Sequence, residues 1–186
     1  MSIGFATYVS LTSNVLLAVF AAGLAVLVLL QDQRRRSNQY FGLCMATASL
    51  YGTFNTVWQV PQQFELEPEP LLQATTTLYI AAIIMLFNFV IAFAGVPHRS
   101  RRIEHLVSAP VGVLFILLVW SGRMYTQYEP LAEGSYRYKL TTVGLFGAGT
   151  ALLYLATSVL VSVRWRAPRA RALAVPMGVL AAGVIG

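Results

Sequence analysis

Six long segments of uncharged, mostly apolar residues constrain the fold of this chain more than any other feature. They run approximately over residues 8–30, 40–60, 72–96, 106–122, 140–163 and 172–186. A helix needs about 20 apolar residues to cross the hydrocarbon core of a bilayer, and five of the segments reach or approach that length. The sixth has 15 residues to Gly186 and would rise only about 22 Å as a helix, so we expect this span to be incomplete.

The segments predict an all-α fold: a polytopic transmembrane bundle of five full spans plus the start of a sixth, forming a single domain over residues 1–186. Composition agrees, because 57% of the residues are hydrophobic and 11% are charged, whereas soluble domains carry about 25% charged residues. Cys44 is the only cysteine, which excludes a disulfide scaffold.

The placement of the charges orients the predicted bundle. The connections after the first, third and fifth segments hold ten arginines against Asp32 and Glu104, whereas the other two hold five glutamates against three cations. By the positive-inside rule the arginine-rich connections are cytoplasmic and the N-terminus is outside. We expect anionic lipid headgroups, and not nucleic acid, as partners of the cytoplasmic-face arginines. These are Arg34, Arg35, Arg36, Arg101, Arg102, Arg164 and Arg166.

The interiors of the segments contain no ionisable residue, which weighs against a proton pump, an ion-coupled carrier with a carboxylate site or a voltage sensor. His98 and His105 flank an arginine-rich turn and do not lie within a span, so we expect no haem and no other cofactor. The sequence has no catalytic triad, phosphate-binding loop or metal-ligand spacing. We therefore predict that the chain is not an enzyme and holds no metal.

Uncharged polar residues within the spans are the candidate binding groups. Asn55 and Gln59 are four residues apart and share a helix face, which Trp58 adjoins. Such side chains either hydrogen-bond between helices or line a cavity open to the outside or to the bilayer. The candidate ligand-binding residues are Asn55, Trp58, Gln59, Thr76, Tyr79 and Trp120.

Two further patterns have more than one interpretation. Aromatic residues crowd the predicted outer connection around Tyr125 to Tyr138, either as an interfacial belt or as the roof of a ligand pocket.

Small residues in the fifth segment allow close helix approach, either within the chain or between two copies. They are Gly144, Gly147, Ala148 and Gly149.

The order of these features resembles the N-terminal seven-helix sensor region of bacterial histidine kinases and diguanylate cyclases. An outside N-terminal helix is followed by RRRSNQYFGLCMATASLYGTFNTVWQ over residues 34–59. After a short acidic connection, the third helix ends in IAFAGVPHRSRR over residues 91–102. The fifth helix follows a tyrosine-rich connection and ends in RWRAPRARALAVPMGVLAAGVIG over residues 164–186.

The resemblance implies a membrane-embedded input module, typically dimeric, whose last helix leads to a cytoplasmic output domain. The last one and a half helices and the output domain are missing, so we expect a fragment of a longer receptor. The leading hypothesis is a non-catalytic sensory module of a bacterial cytoplasmic membrane. The alternative is a structural or accessory subunit of a respiratory or photosynthetic complex, and a transporter half comes third. Expected partners are membrane lipids and either a second copy or other membrane subunits.

Overall fold

A computed structural model describes residues 5–59, 67–93, 98–130 and 136–164 of the chain. Most of these residues are helical, and a short hairpin separates the fourth and fifth helices. The elements are α1 (Phe5–Gln31), α2 (Arg36–Gln59), α3 (Pro68–Phe93), α4 (His98–Trp120), β1 (Tyr125–Pro130), β2 (Tyr136–Leu140) and α5 (Thr142–Arg164). The predicted incomplete sixth span, together with Arg166, lies outside the described residues.

Two helices are long and apolar enough to cross a membrane. One spans Tyr8–Gln31 of α1 and the other is α3, Pro68–Phe93. In α4 and α5 the described side chains form shorter apolar stretches, Ala109–Trp120 and Thr142–Tyr154. The described part of the chain is therefore mostly helical and contains two helices of membrane-spanning length and composition.

Helix α3 is the centre of the arrangement, because α2, α4 and α5 all pack against it. Helix α1 packs mainly against α2. At the α1–α2 interface the Ser49 hydroxyl donates a 2.8 Å hydrogen bond to the carbonyl oxygen of Ala18. The Gln59 Nε2 donates a 2.6 Å bond to the Ser10 hydroxyl. These two bonds pair the start of α1 with the end of α2, so the two helices are antiparallel.

Successive helices of the bundle continue to alternate in direction, and this determines which elements lie at each of its two ends. The Tyr51 and Tyr79 rings pack 5.7 Å apart between α2 and α3, and Trp120 of α4 reaches Thr77 near the start of α3. The Arg34–Arg36 turn, the start of α4 and the end of α5 consequently lie at one end of the bundle. The hairpin and the start of α3 lie at the opposite end.

Helix α1 presents a wide apolar surface that no other described element covers. Val19, Phe20 and Leu30 keep 65%, 67% and 73% of their surface exposed. A helix that is hydrophobic all round is typical of a protein core or of a membrane span. Because α1 lies at the edge of the bundle, its surroundings must be apolar for this surface to be stable.

The main buried cluster lies at the hairpin end. Val119 of α4 is fully buried in this cluster. The cluster consists of Trp58, Leu71, Leu72, Phe115, Val119, Met124 and Tyr125. It holds the hairpin against the ends of three helices.

The all-α prediction needs one correction, because the connection between α4 and α5 contains a β-hairpin. Gly122, at φ 69°, ends α4 in the left-handed conformation that glycine adopts without strain. Strands β1 and β2 then pair antiparallel, with Tyr125 opposite Leu140 and an irregularity between Thr126 and Glu129. The sequence YRYKL of β2 alternates aromatic or apolar residues with cations, which is the period-two pattern of a strand with one covered face.

Candidate ligand-binding cavity

A cavity of about 410 Å³ lies beneath the hairpin, between α2, α3, α4 and α5. Small-molecule sites in proteins are clefts of about 300–1,000 Å³, so this volume is sufficient for a small ligand. Each helix contributes one face to the wall, and the hairpin closes one end.

Helix α3 supplies the longest wall. Its lining residues recur at intervals of three and four, which places them on one face of the helix. Polar side chains come first along this face, towards the hairpin, and isoleucines follow deeper in the bundle. The lining residues of α3 are Leu72, Thr75, Thr76, Tyr79, Ile80, Ile83 and Ile84.

Helix α2 supplies an aromatic and polar wall. Tyr51, Asn55 and Trp58 line the cavity from successive turns. The Tyr51 ring contacts that of Tyr79 across the α2–α3 interface, with centroids 5.7 Å apart. Trp58 is buried, with 7% of its surface exposed.

The hairpin forms the roof through its aromatic residues. The Tyr125 and Tyr138 rings pack edge to face at 5.2 Å, and Tyr138 packs against Trp58 at 6.0 Å. The Tyr125 hydroxyl is hydrogen-bonded to the hydroxyl of Thr76 on α3. Although Tyr138 keeps 39% of its surface exposed, burial raises its pKa above the ordinary value because the charged phenolate is less well solvated. Both tyrosines line the cavity beneath the hairpin.

Small residues of α5 make room for the cavity. Gly144, Gly147, Ala148 and Ala151 line it at helical spacing. A Cβ atom on Gly147 would lie 2.7 Å from Met124 Cε and 3.2 Å from Phe115 Cε1, so α5 approaches the hairpin and α4 closely there. Gly149 faces open space and has no such role.

Four of the six predicted ligand-binding residues lie on the cavity wall: Asn55, Trp58, Thr76 and Tyr79. Gln59 is directed instead to α1, where it donates to Ser10. Trp120 is 53% exposed, and its indole Nε1 donates a 3.1 Å bond to the Thr77 hydroxyl. These last two residues therefore have structural contacts away from the cavity.

Sequence reasoning missed several lining residues. Tyr51 lies one turn before Asn55 on the same face of α2, so the four-residue spacing that linked Asn55 and Gln59 also indicates Tyr51. Ala151 and Tyr154 continue the face of α5 on which Gly144, Gly147 and Ala148 lie. The helical period could have identified these residues, but not which neighbouring helix they face.

The described lining of the cavity carries no formal charge. Within the described part of the chain, no group of three His, Cys, Asp or Glu side chains is placed to hold a metal ion. The Thr75 hydroxyl donates to the Leu71 carbonyl at 2.8 Å. The Asn55 amide forms no hydrogen bond with any described residue. The described lining of the cavity is therefore polar in part and uncharged.

The predicted cytoplasmic-face arginines that the structure describes lie at the end of the bundle away from this cavity. Arg34, Arg35 and Arg36 are exposed in and after the α1–α2 turn. Arg101 and Arg102 fall in the first turns of α4, and Arg164 is the last residue of α5. All of these positions are at the end of the bundle opposite the hairpin.

Comparison with known proteins gives no match: no family model, no curated protein and no solved structure is similar to this chain.

Proposed function

We propose that this chain is a membrane-embedded, non-catalytic sensory input module of a bacterial signal-transduction receptor. In this proposal all five helices cross the cytoplasmic membrane, the N-terminus is outside, and a small molecule enters the cavity beneath the hairpin. The resemblance to the seven-helix sensor regions of histidine kinases and diguanylate cyclases points to the same class.

The lengths of the helices and the distribution of charge support the topology. The helices have 23 to 27 residues, so at 1.5 Å per residue each is longer than the hydrocarbon core of about 30 Å. Helices α1 and α3 also have the apolar composition of a span, whereas the apolar stretches of α4 and α5 are shorter. The arginine clusters share one end of the bundle, where the positive-inside rule places the cytoplasm. There they would attract anionic lipid at about 1 kcal/mol per cation.

The observation that carries the sensory proposal is the connection between the cavity roof and α5. Met124 lines the cavity, and its carbonyl accepts a 3.0 Å hydrogen bond from the backbone N–H of Thr141. The Thr141 hydroxyl in turn accepts a 3.1 Å bond from the N–H of Gly144 in the first turn of α5. A ligand that displaces the roof therefore also displaces the start of α5, and helix shifts of this kind are a common means of signalling.

Spin labels on α2 and α5 test this coupling. The full chain would carry Thr53→Cys and Leu153→Cys in a Cys44→Ala background, reconstituted in phosphatidylcholine nanodiscs. Saturating 1,4-naphthoquinone, used as a small neutral probe, should shift the distance between the labels by about 1–2 Å. Matched labels at Thr53→Cys and Val19→Cys, on the α1–α2 pair, should keep their distance. An α2–α5 distance that stays fixed while the probe is bound would contradict the sensory role.

A second candidate function is the structural or accessory subunit of a membrane complex. An apolar face of α5 that no described element covers favours it, because Leu145, Phe146 and Leu153 are 61%, 73% and 67% exposed. In a subunit these residues contact partner chains; in a sensor they contact lipid or a second copy. Isolation of the chain from native membranes as a stable assembly with other subunits, together with a fixed α2–α5 distance, would establish this alternative.

A further inference from the structure

The walls of the cavity restrict the charge of its ligand. Every described lining side chain is uncharged. An ion that moves from water into an uncharged site loses part of its hydration and gains no counter-ion. The aromatic faces of the wall would attract a cation, but by less than the cost of removing the hydration of an ion without supplying a counter-ion. The cavity therefore favours a neutral molecule over either an anion or a cation.

The Asn55 amide is one polar group of the wall that stays available to a ligand. The hydroxyls of Thr75 and Thr76 are occupied, by the Leu71 carbonyl and by Tyr125. The half-buried Asn55 amide has no described hydrogen-bond partner, and it offers both a donor and an acceptor. A ligand carbonyl or hydroxyl at this position would form a hydrogen bond with the Asn55 amide.

The part of the cavity away from the hairpin is largely aliphatic. Ile83 and Ile84 of α3 and Val111 of α4 line it, together with Thr150 and Tyr154 of α5. Burial of apolar ligand surface there is favourable at about 25 cal/mol per Å². The polar group near the hairpin and this largely aliphatic part together match a molecule with one polar end and a hydrophobic body.

We propose that the cavity binds a neutral, lipid-soluble, ring-bearing molecule whose carbonyl or hydroxyl group hydrogen-bonds to the Asn55 amide. The proposal rests on the proposed sensory function, since it specifies the ligand class of the same cavity. The rings of Tyr51, Tyr79 and Tyr138 provide flat contact surfaces for a planar ligand.

Fluorescence quenching of Trp58 tests the ligand class directly. A Cys44→Ala chain with Trp120→Phe and Trp165→Phe retains Trp58 as its reporter and leaves the cavity lining unchanged. Three two-ring quenchers are titrated in phosphatidylcholine nanodiscs: neutral 1,4-naphthoquinone, anionic 1,4-naphthoquinone-2-sulfonate and cationic N-methylquinolinium. The neutral compound should quench Trp58 saturably, with an apparent affinity at least about tenfold higher than that of either ion.

Two controls separate site binding from partition into lipid. A chain that keeps only the exposed Trp120, made with Trp58→Phe and Trp165→Phe, should show quenching by the neutral compound that does not saturate. Asn55→Leu should lower the affinity for the neutral compound about tenfold, as expected for the loss of one buried hydrogen bond. Thr53→Leu, an exposed position on the same helix, should leave the affinity unchanged.

The outcomes distinguish the two proposals. If an ion quenches Trp58 with equal or higher affinity, the ligand class is wrong while the cavity remains a binding site. If Asn55→Leu binds the neutral compound as well as Thr53→Leu does, Asn55 is not the polar contact. If none of the three compounds quenches Trp58 saturably, both the ligand class and the sensory function are contradicted.

Discussion

At the residue scale, Gly52 determines how closely α1 and α2 approach. A Cβ atom at this position would lie 2.8 Å from the carbonyl oxygen of Asn14 and 3.1 Å from the backbone nitrogen of Ala18. Both neighbours are backbone atoms of α1, so they cannot rotate away as a side chain would. The two helices must separate to accept any side chain at residue 52.

Gly52→Ala should therefore destabilise the bundle, by about 1–3 kcal/mol as is typical of overpacked contacts. Gly23 of α1 is the matched control, because a Cβ atom there meets nothing within 4 Å. Gly23→Ala should be neutral or stabilising by about 0.5–1 kcal/mol through its effect on the helix backbone. Thermal unfolding in detergent, followed by circular dichroism, measures both variants. Equal melting temperatures for the two would contradict the close contact.

The positions of Asn55 and Gln59 show how much the spacing of residues along a helix can predict. Residues four apart on a helix differ by about 40° in direction, which the sequence treats as one face. Helix α2 lies between α1 and α3, so this small difference decides which neighbour each side chain meets. Asn55 lines the cavity with α3, whereas Gln59 bonds to Ser10 of α1. The sequence does not specify where the surface of α2 that contacts α1 ends and the surface that contacts α3 begins.

At the element scale, Thr141 joins the hairpin to α5. Its hydroxyl donates a 2.6 Å hydrogen bond to the Arg123 carbonyl and accepts one from the Gly144 N–H. Threonine is a favoured residue at this N-cap position because it satisfies an N–H that the helix itself leaves unpaired. The residue thereby fixes the first turn of α5 to the start of the hairpin.

Thr141→Val should lower the stability of the protein by about 1 kcal/mol, the usual cost of losing an N-cap. Thr141→Ser keeps the hydroxyl and should remain close to the parent. Hydrogen exchange at the Gly144 and Leu145 amides, measured in nanodiscs, should accelerate in the valine variant only. Unchanged exchange in Thr141→Val would mean that packing against Met124, and not the cap, holds this turn.

The hairpin itself shows why an element can be missed in a membrane sequence. Tyrosines near the end of an apolar segment are expected in the headgroup region, and that interpretation accounts for Tyr125 and Tyr138 without any strand. The alternation of aromatic or apolar residues with cations in YRYKL was the sequence pattern that indicated a strand. It is only five residues long, and a strand of that length becomes identifiable only when its partner is known.

At the scale of the whole molecule, the bundle separates its charges. The turn after α1, the start of α4 and the end of α5 share one end, while the hairpin lies at the other. A protein with this distribution has a preferred orientation in a membrane whose cytoplasmic leaflet is negatively charged.

Cysteine labelling checks that orientation. In a Cys44→Ala background, Gln33→Cys lies in the exposed α1–α2 turn and Ser121→Cys lies at the exposed end of α4. A membrane-impermeant maleimide added to intact cells should modify residue 121 and leave residue 33 unmodified, and both should react after permeabilisation. Labelling of residue 33 alone would place the N-terminus inside, and equal labelling in intact cells would contradict the proposed spans.

The helices could be predicted from the sequence, but the cavity could not. Hydropathy marks where each apolar segment ends, so the predicted segment 8–30 lies within α1 and the segment 40–60 overlaps almost all of α2. The cavity depends on how α5 packs against α3, and these helices are separated along the chain by α4 and the hairpin. Hydropathy contains no information about which non-adjacent segments meet.

The packing of α5 against α3 also means that the wall of the cavity is completed only after α5 has been synthesised. Helices α1, α2, α3 and α4 each contact their sequence neighbour, so these contacts can form as the segments leave the ribosome. The stripe Gly144, Gly147, Ala148 and Ala151 emerges later and supplies the remaining wall of the cavity. A nascent chain that ends before residue 142 has no enclosed cavity, and it acquires one only when α5 inserts beside a helix synthesised about 70 residues earlier.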